Sequence, residues 1–416
     1  MAKFTFYRLP NGIRVVLVPM TGVKSVALGV YSTVGSRYET AENNGVSHFL
    51  EHLVFKGTKN YPTPADTSSL EALGAIQNAW TDVDATSYWC KIPSDHFKAG
   101  LDLVSDLALN PLVPAKDLEI EKGVILEEIN RRNDMPDQLV WEEFQGQIFA
   151  GHPLSRSILG EKDVIKSATR EQILKYHGDH YNSGSLFVVV AGDLPKDSKK
   201  IIAELFGGLP KGKWLEPKVF KNKSKQKVHV VTRRKDNQVN LILGGYAATA
   251  FDSDRYIQNI LITILGAGMS SRLFSELREK RGLCYSVSAS DEKYPDVGVW
   301  TVNAGVATDK LKSALDGIKE QLQNLVDKPV PEAELESAKQ RLKGMIIFSQ
   351  EDPRRQMEYF AAQVIDRDKQ IYDYDQNMAK LMAVTAKQVQ NYAAKIFAAD
   401  NQYLTVLGPV SRKIKL

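Results

Sequence analysis

Between Gly45 and Thr58 the chain reads GVSHFLEHLVFKGT, which sets His48, Glu51 and His52 within five residues. On a helix, residues four apart share a face with Cβ atoms about 5–6 Å apart. His48 and His52 can therefore offer two imidazole nitrogens to one ion. Glu51 falls on the shoulder of that face, where it can reach a water on the ion without being a ligand. A catalytic zinc takes three protein ligands and keeps one position for water. A nearby carboxylate can take that water's proton and later hand it to a leaving amine. A single histidine is more often an ordinary helix residue, but an H-x-x-E-H run arises by chance only roughly 0.006 times in a sequence of this composition. Leu50, Leu53 and Val54 supply the apolar positions, Asn44 and Ser47 are the expected caps, and Gly57 is the expected stop.

A third ligand is needed, and residues 118–130, LEIEKGVILEEIN, offer carboxylates. Glu121 and Glu128 stand two helical turns apart and share a face, whereas Glu127 is rotated by about 100° from Glu128. A carboxylate pair on one face suits one ligand plus one partner that orients a ligating histidine. Spacing alone leaves Glu127 and Glu128 both open. His96, His152, His177, His180 and His229 have no partner at ligand spacing, and Cys90 and Cys284 read as inert buried thiols.

The elements that must position these residues recur along the chain. EQILKYHGDHYNSGSLFVVVAGDL near Tyr176 matches KQVQNYAAKIFAADNQYLTVLGPV near Tyr392, aligning Gln172 with Gln388, Tyr181 with Phe397 and Gly192 with Gly408. Each reads as an amphipathic helix, a polar turn and an apolar strand ending in glycine. A weaker match sets Val16 against Val231 and Tyr31 against Tyr246. A duplicated unit of about 200 residues follows. Residues 76–81 and 86–92 read as a strand pair, and Leu311, Leu315, Ile318, Leu322 and Leu325 recur at helical spacing, with Pro331 able to open the next helix. Strands and helices come in mixed order, which argues for α+β with largely antiparallel sheets. The expected organisation is a domain over 1–210 with the histidine motif, a lysine-rich exposed linker over 211–227, and a homologous domain over 228–416.

The chain has 416 residues, 43% hydrophobic and 25% charged, which excludes a disordered or collagen-like protein. A net charge of +4 is too small over this length to indicate a nucleic-acid binder. Two cysteines cannot make a disulfide framework and fit a reducing compartment. The opening MAKFTFYRLPNG contains no apolar signal-like core, and no run approaches 18 apolar residues. The expectation is a cytoplasmic protein with neither membrane nor nucleic acid as partner.

With these motifs in hand, the sequence resembles the inverted-motif zinc metallopeptidases of the insulinase and pitrilysin type, and within them the mitochondrial-processing-peptidase-like bacterial branch. The resemblance spans nearly the whole chain: LPNGIRVVLV, the SRYE...NNGVSHFLEHLVFKGT block, GAIQNAWT, ATSYW, VILEEI and HPLSRSILG. It implies His48, His52 and Glu128 as ligands of one Zn2+ per chain, Glu51 as general base, and Glu121 as an assisting glutamate. It also implies roles for Arg278 and Tyr285, within GMSSRLFSELREKRGLCYSVSAS, in holding substrate carbonyls and stabilising charge on the tetrahedral intermediate. Asn78 and Ala79 match an edge strand to which family substrates add as a β-strand. The expected function is that of a zinc endopeptidase cutting unfolded peptides or extended segments in a closed chamber. That chamber is expected to be a homodimer with a composite site, in which Arg278 and Tyr285 of one copy face the metal of the other. The alternative is a non-catalytic structural or substrate-binding subunit of a processing-peptidase-like complex.

Overall fold

The computed structural model describes residues 4–365 and 371–410, so the first three residues of the opening segment lie outside it. The class is α+β, built on two largely antiparallel sheets. The first sheet contains β1 (Thr5–Arg8), β2 (Arg14–Pro19), β3 (Ser25–Ser32), β4 (Ile76–Thr81), β5 (Thr86–Pro93) and β6 (Leu186–Gly192), in the order β1-β2-β6-β3-β5-β4. The second contains β7 (Val228–Thr232), β8 (Val239–Ala247), β9 (Cys284–Lys293), β10 (Gly298–Val306) and β11 (Tyr403–Gly408), in the order β7-β11-β8-β10-β9. Packed with them are α1 (Val46–Val54), α2 (Phe97–Leu109), α3 (Ala115–Asn133), α4 (Pro136–Ile148), α5 (Arg170–His180), α6 (Arg255–Gly266), α7 (Leu311–Asp327), α8 (Pro353–Ile365) and α9 (Ala386–Ile396).

The two sheets repeat one topology. β2 runs parallel to β6 as β7 does to β11, and every other pairing in both sheets is antiparallel. The sequence matches have local causes. Gln172 and Gln388 each close a capping box with Thr169 and Thr385, fixing the starts of α5 and α9. Tyr176 and Tyr392 each send a hydroxyl to the helix that follows the sheet's central strand, β3 or β8: to Ser47 at 2.9 Å and to Gln258 at 2.6 Å. Gly192 and Gly408 end their strands at φ +131° and +148°, where a Cβ would fall 2.3 Å and 2.8 Å from a neighbouring carbonyl oxygen; only glycine fits.

Two compact units divide the chain. One takes Met1–Asn130, Arg156–Lys218 and Phe348–Ile371, and the other Arg131–Ser155, Val219–Ile347 and Tyr372–Leu416. The passage between Lys218 and Val219 lies inside the lysine-rich stretch, but the halves also exchange helices. α4 comes from the first half and packs on β8 and β11, while α8 comes from the second and packs on β3 and β6. Contiguous bounds of 1–210 and 228–416 do not contain that exchange. Residues 211–227 form no helix or strand, yet they are fastened down. Trp214 lies against the Arg14 guanidinium at 4.1 Å, the Lys218 carbonyl accepts from Arg37, and the Phe220 N–H donates to Asp296. One aromatic ring and two backbone groups thus hold a stretch that its lysines mark as exposed. Among the described residues no helix is long and apolar enough to cross a membrane.

In the first unit the core joins Val15, Leu17, Leu28, Val30, Val188 and Val190 of the sheet to Phe49, Leu50 and Leu53 of α1. The apolar face of α1 is thereby pinned, and its polar face, with His48, Glu51 and His52, is turned outward.

Candidate metal centre

The expected caps of α1 are not its caps. The residue before its first turn is Gly45, at φ +97°, and a Cβ there would lie 2.8 Å from the Gly160 Cα. Capping comes from Glu39, whose carboxylate accepts from the N–H groups of Gly45 (2.7 Å) and Ser47 (2.8 Å) and from the Asn44 amide (2.9 Å). An anion is favoured there by the exposed N–H groups and the helix dipole. Burial pushes the Glu39 carboxyl above its ordinary range, against the pull of these bonds. Helix α1 ends at Val54, and Gly57 lies beyond its cap at Phe55.

His48 and His52 stand on the outward face with ring centroids 4.6 Å apart. The Glu128 carboxylate on α3 approaches both, 3.8 Å from His48 Nε2 and 3.7 Å from His52 Nε2. Ligand atoms of the three lie within 4.8 Å of one another, and among the described residues this is the one such group. Glu127 is exposed and bonded to Asn130 instead. Zinc–ligand bonds of about 2.0–2.1 Å at tetrahedral angles put ligand atoms roughly 3.4 Å apart. The two histidine–carboxylate separations exceed that by only a few tenths of an ångström, and two imidazoles with a carboxylate are a donor set that suits zinc.

A second layer orients the donors. Glu121 is nearly fully buried; one of its oxygens lies 3.0 Å from His52 Nδ1 and the other 2.8 Å from Lys56 Nζ. With Nδ1 engaged, His52 presents Nε2 to the cluster. Glu51 accepts from the Thr81 hydroxyl at 2.7 Å. Burial raises its pKa, the Thr81 bond and His52 lower it, and Glu128 raises it. Lys56 and Thr81 were not singled out from sequence. Lys56 is four residues after His52, a readable signal, but nothing local announces Thr81.

Asn78 and Ala79 lie on β4, the outer strand. Asn78 is exposed and its side chain accepts from the Ala79 N–H at 2.9 Å, while the Ala79 side chain is buried in the core. Ala79 can thus offer only its backbone. Arg278 and Tyr285 belong to the second unit. Arg278 sits in a π-helical turn, Phe274–Lys280, exposed and with its guanidinium over the Phe274 ring at 4.9 Å. Tyr285 is 71% exposed near the start of β9, the outer strand of its sheet. His177 and His180 are structural, bonded to the carbonyls of Ala108 and Tyr176. His229 pairs with Glu143 at 2.7 Å. Cys90 and Cys284 are buried, and burial pushes the Cys90 thiol up to about 12.

The chain thus combines a duplicated α+β fold with a His–His–Glu cluster on its first unit. Residues 14–162 match the family described as insulinase (peptidase family M16), and residues 167–342 match the peptidase M16 inactive domain. A protein of Rickettsia felis is 32% identical over 98% of both chains, and one of Bacillus subtilis is 32% identical over 95% of this chain and 96% of its own. Both are named uncharacterized zinc proteases. Among solved structures, a protease from Helicobacter pylori superposes with a TM-score of 0.91 at 24% identity, covering 98% of this chain and all of its own. A peptidase M16 inactive domain from Pseudomonas fluorescens also gives 0.91, at 21% identity over 99% and 100%. The chain belongs to the insulinase family of peptidases, family M16.

Proposed function

We propose that this chain is a zinc-dependent endopeptidase acting on unfolded peptides or extended protein segments in the cytoplasm. The observation that carries the reading is the convergence of His48, His52 and Glu128 beside a Glu51 carboxylate held by Thr81. When bound by these three residues, zinc supplies Lewis acidity, acidifying a water and polarising a carbonyl. The chain's own groups do the rest. Glu51 takes the water proton and returns it to the departing amine, and the Thr81 hydroxyl keeps its carboxylate aimed. Glu121, tied to Lys56, holds the His52 ring in place. The outer strand β4 receives the substrate backbone, with Asn78 and Ala79 at its middle. Arg278 and Tyr285, both exposed on the second unit, serve the site from a partner copy in a homodimer, the tyrosine hydroxyl donating to the developing oxyanion.

The test is metal analysis together with peptide cleavage by the full chain and by Glu51→Gln. Stoichiometric zinc in both proteins, chelator-sensitive cleavage by the first and loss of about 100-fold or more in the second are expected. Undiminished cleavage by Glu51→Gln refutes the assignment.

A further inference from the structure

Among the described residues β4 is bonded on one side only, to β5. An open edge is a template for another strand, and proteins ordinarily guard it with charge, proline or a cover. The sequence of β4, IQNAWT, has no charged residue and no proline. Its first residue, Ile76, is 64% exposed, and Leu73, in the turn just before, is 37% exposed.

Side chains alternate across a strand. Gln77, Ala79 and Thr81 share one face, which leads through Thr81 to Glu51, and Ile76, Asn78 and Trp80 share the other. On that second face Trp80 packs edge-on against Tyr31 at 6.2 Å, and Asn78 is turned back to its own strand. Ile76 is the large apolar group left exposed on it. Its distance from the chemistry is set by the strand: about 10 Å from Ala79 and about 16 Å from Thr81 at roughly 3.3 Å per residue.

We propose that Ile76, flanked by Leu73, forms an apolar subsite selecting an aliphatic or aromatic side chain in the extended substrate, about three to five residues from the scissile bond. The inference rests on the reading that substrate adds to β4. A residue directly opposite Ile76 in the added strand has its Cβ about 4.5–5.5 Å away, within contact of an exposed isoleucine. The occupant is the substrate because the same strand ends at the residue that holds the base. Removing a contact of this size from water favours the apolar side chain about tenfold.

The experiment maps cleavage sites in a peptide library by mass spectrometry, with the full chain and with Ile76→Lys. Wild type enriches apolar residues at one position three to five residues from the cut, and Ile76→Lys moves the enrichment at that position to Asp and Glu. In parallel, anisotropy of two labelled peptides, differing by Leu or Asp at that position, is followed on Glu51→Gln and on Glu51→Gln/Ile76→Lys with chelator present. The Leu peptide binds about tenfold tighter to the first, and the order inverts on the second. This binding readout stands whether or not the chain cleaves, so loss of catalysis alone counts against the peptidase reading and not against the subsite. An unchanged preference in both readouts overturns the proposal. So does a change of oligomeric state in Ile76→Lys without a change in preference, which would make the edge a contact between copies.

Discussion

Replacing Glu121 by Gln isolates what the layer behind the histidines contributes. The shape is kept and the amide oxygen can still accept from His52 Nδ1, so what is lost is the charge and the pairing with Lys56. The path from the Glu121 oxygen to a bound metal comprises the 3.0 Å contact, the width of an imidazole and a metal–nitrogen bond of about 2 Å, roughly 7 Å in all. A carboxylate and a dication at that distance attract by about 1.2 kcal/mol at a dielectric of 80 and about 5 kcal/mol at 20. The Glu128 and Lys56 side chains are 39% and 30% exposed, and this access to solvent places the effect near the lower bound. The zinc dissociation constant should therefore rise about 10- to 100-fold, the range found when carboxylates behind ligating histidines are removed. Lys56→Met gives the sign test. If Lys56 acted only as a repelling charge, its loss would tighten zinc. If it fixes Glu121, its loss leaves a buried carboxylate held only by His52, and zinc weakens by about 3- to 10-fold, with Lys56→Arg restoring it. Competition against a chromophoric chelator measures each constant, and unfolding of the metal-free proteins checks the fold. Affinity within twofold of wild type for Glu121→Gln, or tighter zinc in Lys56→Met, would refute the reasoning.

Acid should destabilise the first unit through His177 and His180. Burial lowers both pKa values below the ordinary 6.5. The unfolded chain then binds more protons than the fold as pH drops through about 6.5, so stability present above that pH is lost towards the folded pKa values. Glu39, whose pKa is raised, works in the opposite direction at lower pH. Denaturant midpoints from pH 7.5 to 5.5 should fall, and fall less in His177→Gln/His180→Gln; an identical slope in the variant would exclude these histidines as the cause. For the partner copy, mixing His48→Ala with Tyr285→Phe after subunit exchange should return roughly a quarter of wild-type activity, since half the dimers are hybrids with one complete site each. No recovery despite proven exchange would mean that each chain completes its own site.

The legible parts of the molecule were those written in short-range spacing. His48, Glu51 and His52 occupy one face because of helical geometry alone, and the Glu121–Glu128 pair shares a face for the same reason. The choice between Glu127 and Glu128 needed the angle at which α3 passes α1, which no window of sequence contains. The repeat was visible because a capping box, a buried tyrosine and a strand-ending glycine each demand particular residue types. What stayed hidden was long-range. Glu39 caps α1 from before its start, in place of the nearer Asn44 and Ser47, because Gly45 must turn left-handed beneath Gly160. Thr81 reaches Glu51 only once β4 lies beside α1. The exchange of α4 and α8 between units is equally unreadable, since an amphipathic helix shows that it has a buried face but not which sheet covers it.

The duplication also shows that the two units differ where the His–His–Glu cluster lies. α1 and α6 occupy the same place in the two topologies, after β3 and β8, and each is gripped by the repeat tyrosine, through Ser47 in one and Gln258 in the other. α6, however, reads RYIQNILITILG, with no histidine, cysteine, aspartate or glutamate. Its Gln258 is fully buried, accepting from the Ala248 N–H and donating to Asp291, where α1 has two imidazoles 13% and 17% exposed. This helix therefore offers none of the side chains that ordinarily hold zinc. In the second unit the outer strand β9, the counterpart of β4, carries the exposed Tyr285 just after the π-helical turn with Arg278. Two copies of one topology thus carry different polar groups: two imidazoles and a carboxylate beside the inner helix of one, and an exposed arginine and tyrosine at the outer edge of the other.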